Sequence, residues 1–111
     1  MKTIKINEII KSNLAVNADQ AEEIYDLIKN YVDKQQEVGV DFSDIDTLTT
    51  AFLNIAIGKL YSIGDTETLN KYVHISSIGL SKFQLSKIKL VMKNAKTKIN
   101  KADMNKELYN D

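Results

Sequence analysis

Apolar residues recur at helical spacing in three stretches of the chain and alternate with polar ones in three others. Ala21, Ile24, Tyr25, Ile28, Tyr31 and Val32 fall on one stripe, so a helix is predicted over about residues 18–36, opened by Asn17 with Gln20 as a capping pair. Its other face carries Glu22, Glu23, Asp26, Asn30 and Asp33 and reads as solvated. A second stripe, Ile88, Val91, Met92, Ala95 and Ile99, predicts a helix from Ser81 to about Ile99, with Phe83 or Leu85 anchoring its first turn. Between them, Phe52, Ile55, Ala56 and Leu60 repeat at the same period, and Leu53 and Ile57 widen the face, so this central helix should be largely buried. Gly64 is its expected stop, and Asp65 or Thr66 should begin a short helix through Lys71.

The alternating stretches read as strands. Thr3 to Asn7 is the first, with Ile9 and Ile10 continuing into a bend or a second short strand. Val38, Val40 and Phe42, separated by Gly39 and Asp41, form the next, a half-buried strand. Tyr72 to Ser76 is the third, with Val73 and Ile75 on one face and Tyr72 and His74 on the other, His74 at the surface. The strand at 38–42 follows the first helix so closely that the two belong to a crossover unit, with the strand at 3–7 in the same sheet. The expected fold class is α/β: one domain, a mixed sheet of about four strands, helices packed mainly on one face.

The stretch that joins the strand at 38–42 to the central helix concentrates the candidate chemistry. Ser43 to Thr50 mixes acids and hydroxyls around Ile45 and Leu48, whose spacing lets both dip back and pin the loop to the core. Thr49 or Thr50 can cap the helix, because a side-chain oxygen there satisfies a free N–H of the first turn. A strand that delivers the chain through a polar loop to a helix start also favours anions, so a phosphate is expected to be bound or added there.

The run VGVDFSDIDTLTTAFLNIAIG, residues 38–58, resembles the middle of STAS domains, the fold shared by anti-sigma factor antagonists and sulfate transporter tails, and more closely the STAS-like proteins of bacteria and phages. Asp41-Phe42-Ser43 matches the strand end, and Thr49-Thr50-Ala51-Phe52-Leu53 matches the helix start. Thr50 falls where the antagonists carry a serine phosphorylated by a partner kinase, while Thr49 replaces an acid and Phe52 a glycine. The resemblance implies a STAS-like domain over 1–101, a kinase-type ATPase as partner, and a phospho-switchable surface built from Asp41, Ser43, Asp44, Asp46, Thr49, Thr50 and Phe52.

Composition bounds the alternatives. At 111 residues the chain is one domain, and 102–111 lacks periodicity and should form a flexible tail. Without cysteine there is no disulfide, thiolate metal site or cysteine nucleophile, and a single histidine leaves little material for a metal. No cofactor and no metal are expected. The first residues lack the apolar core of a signal peptide and no run is long enough to span a membrane, so a cytoplasmic protein without a membrane partner is expected.

Net charge is zero, yet residues 1–50 hold five Lys against ten acids and residues 51–111 hold ten Lys against five. The basic helix at 82–101, with Lys89, Lys93 and Lys96, therefore offers an alternative function in binding a polyanion. The absence of Arg disfavours nucleic acid, because base readout asks for other side chains. Paired acidic and basic faces also offer a route to a homodimer. A more remote alternative is a phosphotransfer enzyme, since Asp44-Ile45-Asp46-Thr47 in the acidic loop at 41–46 is similar to the Asp-x-Asp-x-Thr motif of haloacid-dehalogenase-like phosphotransferases. That chemistry needs a strand running straight into the first Asp and further acids to hold magnesium, so the primary expectation is a non-enzymatic interaction module.

Overall fold

The computed structural model describes the backbone of residues 1–109 and the side chains of residues 1–96. In chain order its elements are strand β1 (Lys2–Lys5), helix α1 (Ile6–Ile10), strand β2 (Leu14–Ala15), helix α2 (Ala18–Asp33), strand β3 (Val38–Asp41), strand β4 (Thr47–Leu48), helix α3 (Thr50–Ala56), a 3-10 turn (Gly58–Ser62), helix α4 (Thr66–Tyr72), strand β5 (Val73–Ile75) and helix α5 (Lys82–Tyr109).

The chain is α/β, as its pattern predicts, with β3 central in a sheet of order β1-β3-β5 and β2 paired to β4 beside it. Among the described residues every pairing is parallel, not mixed. The reason lies in the connections: β1 reaches β3, and β3 reaches β5, only through crossovers that contain helices, and such crossovers return the chain in the same direction. The register aligns Ile4 with Val40 and Val40 with Ile75. This row, with Val38, faces the helices and is buried in its centre.

The opposite face of the sheet carries Thr3, Gly39 and His74, again in one row. Gly39 is buried even so, because a Cβ there would stand 3.0 Å from Thr3 Oγ1 and 3.6 Å from the Met1 side chain. His74 Nε2 lies 2.9 Å from Glu37 Oε1 and 3.0 Å from the Lys71 carbonyl, an exposed surface pairing in keeping with the polar face expected for it.

Three expectations change at their edges. Ile6 to Ile10 is a helix where the pattern suggested more strand. The ladder ends at the Lys5–Asp41 pair, so no strand partner remains, and one helical turn buries Ile6 and Ile10 together. Helix α2 begins where expected, Asn17 Oδ1 accepting the N–H groups of Asp19 and Gln20 at 2.8 and 3.2 Å. It ends at Asp33, where Gln35 turns left-handed at φ 55° and the Gln36 N–H donates to the Tyr31 carbonyl at 2.9 Å. The central helix is split: after Ile57 the bonds tighten to the i, i+3 pattern, which brings both Leu60 and Tyr61 into the core.

Helix α5 opens on a reciprocal box, the Gln84 N–H donating to Ser81 Oγ at 3.1 Å and the Ser81 N–H to Gln84 Oε1 at 3.2 Å. Ile88 and Val91 are its buried positions, and the helix packs on the 3-10 turn and α3. Phe83 does not anchor the first turn; it is 70 % exposed, and half-buried Leu85 takes that place. The reason is angular: Leu85 precedes Ile88 by three positions and shares its face, whereas Phe83 precedes Ile88 by five. The backbone is helical to Tyr109, past the end expected near Ile99. The side chains of Lys98, Ile99 and Lys101 and those of the 102–111 tail lie outside the described residues.

Candidate functional site: the Ser43–Leu53 junction

Beyond β3 the chain turns at once. Asp41 Oδ1 accepts the Ser43 N–H at 2.8 Å, closing a turn that ends the strand. Asp44 is left-handed at φ 63° and exposed, and its carboxylate meets Lys5 Nζ at 2.7 Å. That hydrogen bond, with the coulombic attraction behind it, holds Lys5 above its ordinary pKa. Ile45 and Leu48 are 5 % and 2 % exposed, so both pin the loop to the core as their spacing predicts.

The loop is then clamped from two sides that no local pattern announces. On one side β4 pairs with β2, Leu14 opposite Thr47 and Ala15 opposite Leu48, and the Asp46 N–H donates to the Asn13 carbonyl at 2.8 Å. On the other, α5 reaches down: Gln84 Nε2 donates to the Ile45 carbonyl at 2.8 Å, and Lys87 Nζ to the Leu48 carbonyl at 2.9 Å. Behind Ser43 the chain before α5 comes close, Gly79 holding φ +80° where a Cβ would lie 2.7 Å from Ser43 Cβ. The S-x-x-Q spacing marks Gln84 only as a cap of α5, and Lys87 carries no mark at all, since the carbonyls that the two reach are each 39 positions away.

Of the two candidate caps, Thr49 is the one used. Its Oγ1 accepts the Phe52 N–H at 3.1 Å and lies 3.4 Å from the Ala15 carbonyl, to which it donates. Thr50, the first residue of α3, is exposed and its hydroxyl takes no part in the cap. Phe52 is 1 % exposed and belongs to the core beneath the junction, so it offers nothing to a docked partner. Asp44, Asp46, Thr47 and Thr50 are exposed, and Ser43 and Asp41 are half-buried. Helix α3 has only seven residues, which leaves a short dipole behind any anion at its start. The surface also has an apolar part that escaped the pattern: Leu14 and Val16 are 50 % and 46 % exposed, and Leu14 sits beside Thr47 in the ladder.

The remaining candidates lie elsewhere on the molecule. Lys89 and Lys93 are exposed further along α5, and half-buried Lys96 holds its ammonium 5.7 Å from the centre of the Tyr61 ring. Asp44 stands three residues past the end of β3, off the strand end that an Asp-x-Asp phosphotransfer motif requires. Among the described residues no group of three His, Asp or Glu converges to hold a metal, and no helix is long and apolar enough to cross a membrane.

A parallel three-stranded sheet whose central strand passes through a clamped polar loop into a buried helix defines a small α/β domain in which Asp44, Asp46, Thr47 and Thr50 stand exposed at one strand-to-helix junction. The chain belongs to the STAS-like family, for the family model described as a STAS-like domain of unknown function (DUF4325) matches residues 20–82. The match runs from α2 to the start of α5, so the whole junction falls inside it and Lys89, Lys93 and Lys96 fall outside. No curated protein and no solved structure matches the chain.

Proposed function

We propose that this chain is a non-enzymatic regulatory module of STAS-like type that works in the cytoplasm and docks a protein partner on the Asp44–Thr50 surface, with Thr50 as a phosphate-accepting switch. The carrying observation is the division of labour between two adjacent threonines: Thr49 serves the helix, which leaves the Thr50 hydroxyl exposed and structurally unemployed. Membership in the STAS-like family supports the reading. So does the clamping of the loop by β2 and α5, since a surface held in one shape costs a partner little ordering entropy.

Exposed Leu14 supplies an apolar contact beside the polar ones. A phosphate on Thr50 would add about −1.5 to −2 charges to a loop that already presents Asp44 and Asp46. A partner that tolerates the unmodified loop would then be repelled. The resemblance to the antagonists makes a kinase-type ATPase the partner class to look for first.

The test is a pull-down with the purified chain as bait from the cells that encode it, comparing wild type with Thr50→Ala, Thr50→Glu and Leu14→Ser. Thr50→Ala should keep the partner, and Thr50→Glu and Leu14→Ser should lose it. Mass spectrometry of the protein from the same cells should find phosphate on Thr50. Identical partner sets for all four proteins, with Thr50 unmodified, would overturn the proposal.

A further inference from the structure

A cavity of about 260 Å³ opens between α5, the 3-10 turn, α4 and the edge strand β5. Its floor is apolar and fully buried, made by Leu60, Leu69 and Ile88, and half-buried Ile75 and Met92 flank it. Protein interiors rarely leave apolar space of this size unfilled. At about 30 Å³ per water in the liquid, it has room for about nine waters, or a molecule of the order of ten heavy atoms. Water is a poor occupant, since an apolar wall returns almost none of the hydrogen bonds that a buried water needs.

Of the polar residues that line it, Tyr61 is buried and the other two stand at the mouth. Asn70 and Lys89 both line the cavity and both are exposed. Lys89 makes no ion pair among the described residues; no acid occurs between Thr68 and Ala102, so β5 and the stretch of α5 around Lys89 carry none, and the one acid of α4, Glu67, does not line the cavity. An apolar chamber with one unanswered cation and one amide at its entrance is complementary to a molecule with an apolar body and one anionic end.

We propose that this cavity is a ligand site for a small apolar carboxylate, its hydrocarbon part on Leu60, Leu69 and Ile88 and its carboxylate at the mouth between Lys89 and Asn70. The site is separate from the junction and does not depend on the function proposed for it. Conversely, a ligand seated here would touch β5 and α5, the helix that clamps the junction through Gln84 and Lys87.

The experiment is an NMR titration of the full chain with octanoate, with octan-1-ol as the uncharged probe. Octanoate should give saturable shifts of the methyl signals of Leu69, Ile75 and Met92 and bind roughly tenfold more tightly than the alcohol, the usual worth of a hydrogen bond to a charged group. Lys89→Gln should abolish that preference and leave the affinity for octan-1-ol unchanged. Leu85→Trp, which adds bulk to another lining position, should block both probes. The wild-type comparison decides the matter even if that variant fails to fold. Equal affinity for the two probes would overturn the carboxylate assignment. Absence of saturable shifts, or shifts confined to the surface lysines of α5 that vanish with added salt, would overturn the site itself.

Discussion

Replacing Thr49 and Thr50 by alanine, one at a time, separates two residues that look interchangeable in the sequence. Thr49→Ala removes the oxygen that accepts the Phe52 N–H at 3.1 Å, and with it the longer bond to the Ala15 carbonyl at 3.4 Å. Losing such a cap costs about 1 kcal/mol and up to about 2. The second bond is long enough to add only a few tenths of a kcal/mol. The rest of α3 should hold, because Phe52, Leu53 and Ala56 stay buried.

For a domain of this length a loss of about 1 kcal/mol lowers Tm by roughly 4 °C. Thr50→Ala removes no cap, lies on the surface, and should fall within about 0.5 kcal/mol of wild type. Thr49→Ser, which keeps the oxygen, should recover most of what Thr49→Ala loses. Urea denaturation followed by circular dichroism measures all three, read as a shift in midpoint at constant slope. A loss at Thr50 as large as that at Thr49 would place the cap on Thr50 and remove the free hydroxyl on which the functional proposal rests.

Three further outcomes are expected. Gly79→Ala should destabilise by about 1 kcal/mol or more, since its φ of +80° disfavours any side chain and the new Cβ would meet Ser43 at 2.7 Å; shifted amide signals at Ser43 would locate the damage. Ile88→Ala should cost about 2–5 kcal/mol in a chemical denaturation experiment, and Phe83→Ala no more than about 0.5, because Ile88 is 2 % exposed and Phe83 70 %. The Asp65 carboxyl, held below its ordinary pKa by the Thr68 N–H and hydroxyl, caps α4. Its contribution is complete above the ordinary carboxylate range and is lost as pH falls through the lowered value, so Asp65→Asn should flatten the acid limb of a Tm-versus-pH curve relative to wild type.

Local physics is legible in the chain wherever one element's own residues decide its form. The stripe from Ala21 to Val32 can bury itself only as a helix, and Asn17, Asp65 and Ser81 with Gln84 start their helices through hydrogen bonds that span three residues or fewer. The strand from Val38 and the inward turn of Ile45 and Leu48 follow from the same short-range alternation of apolar and polar positions.

What tertiary structure alone decided is whatever depends on a distant partner. Two-residue strands such as β2 and β4 carry no period of their own and exist because Leu14 meets Thr47 across 33 positions. Ile6 to Ile10 coils into α1 because β3 ends at Asp41 and leaves it no ladder. Thr49 is the cap because the Ala15 carbonyl and the Phe52 N–H are both within its reach, and Lys87 joins the junction because the fold sets its ammonium against the Leu48 carbonyl. A sequence lists the donors and acceptors, but chain closure over 30 or 40 residues chooses which of them meet.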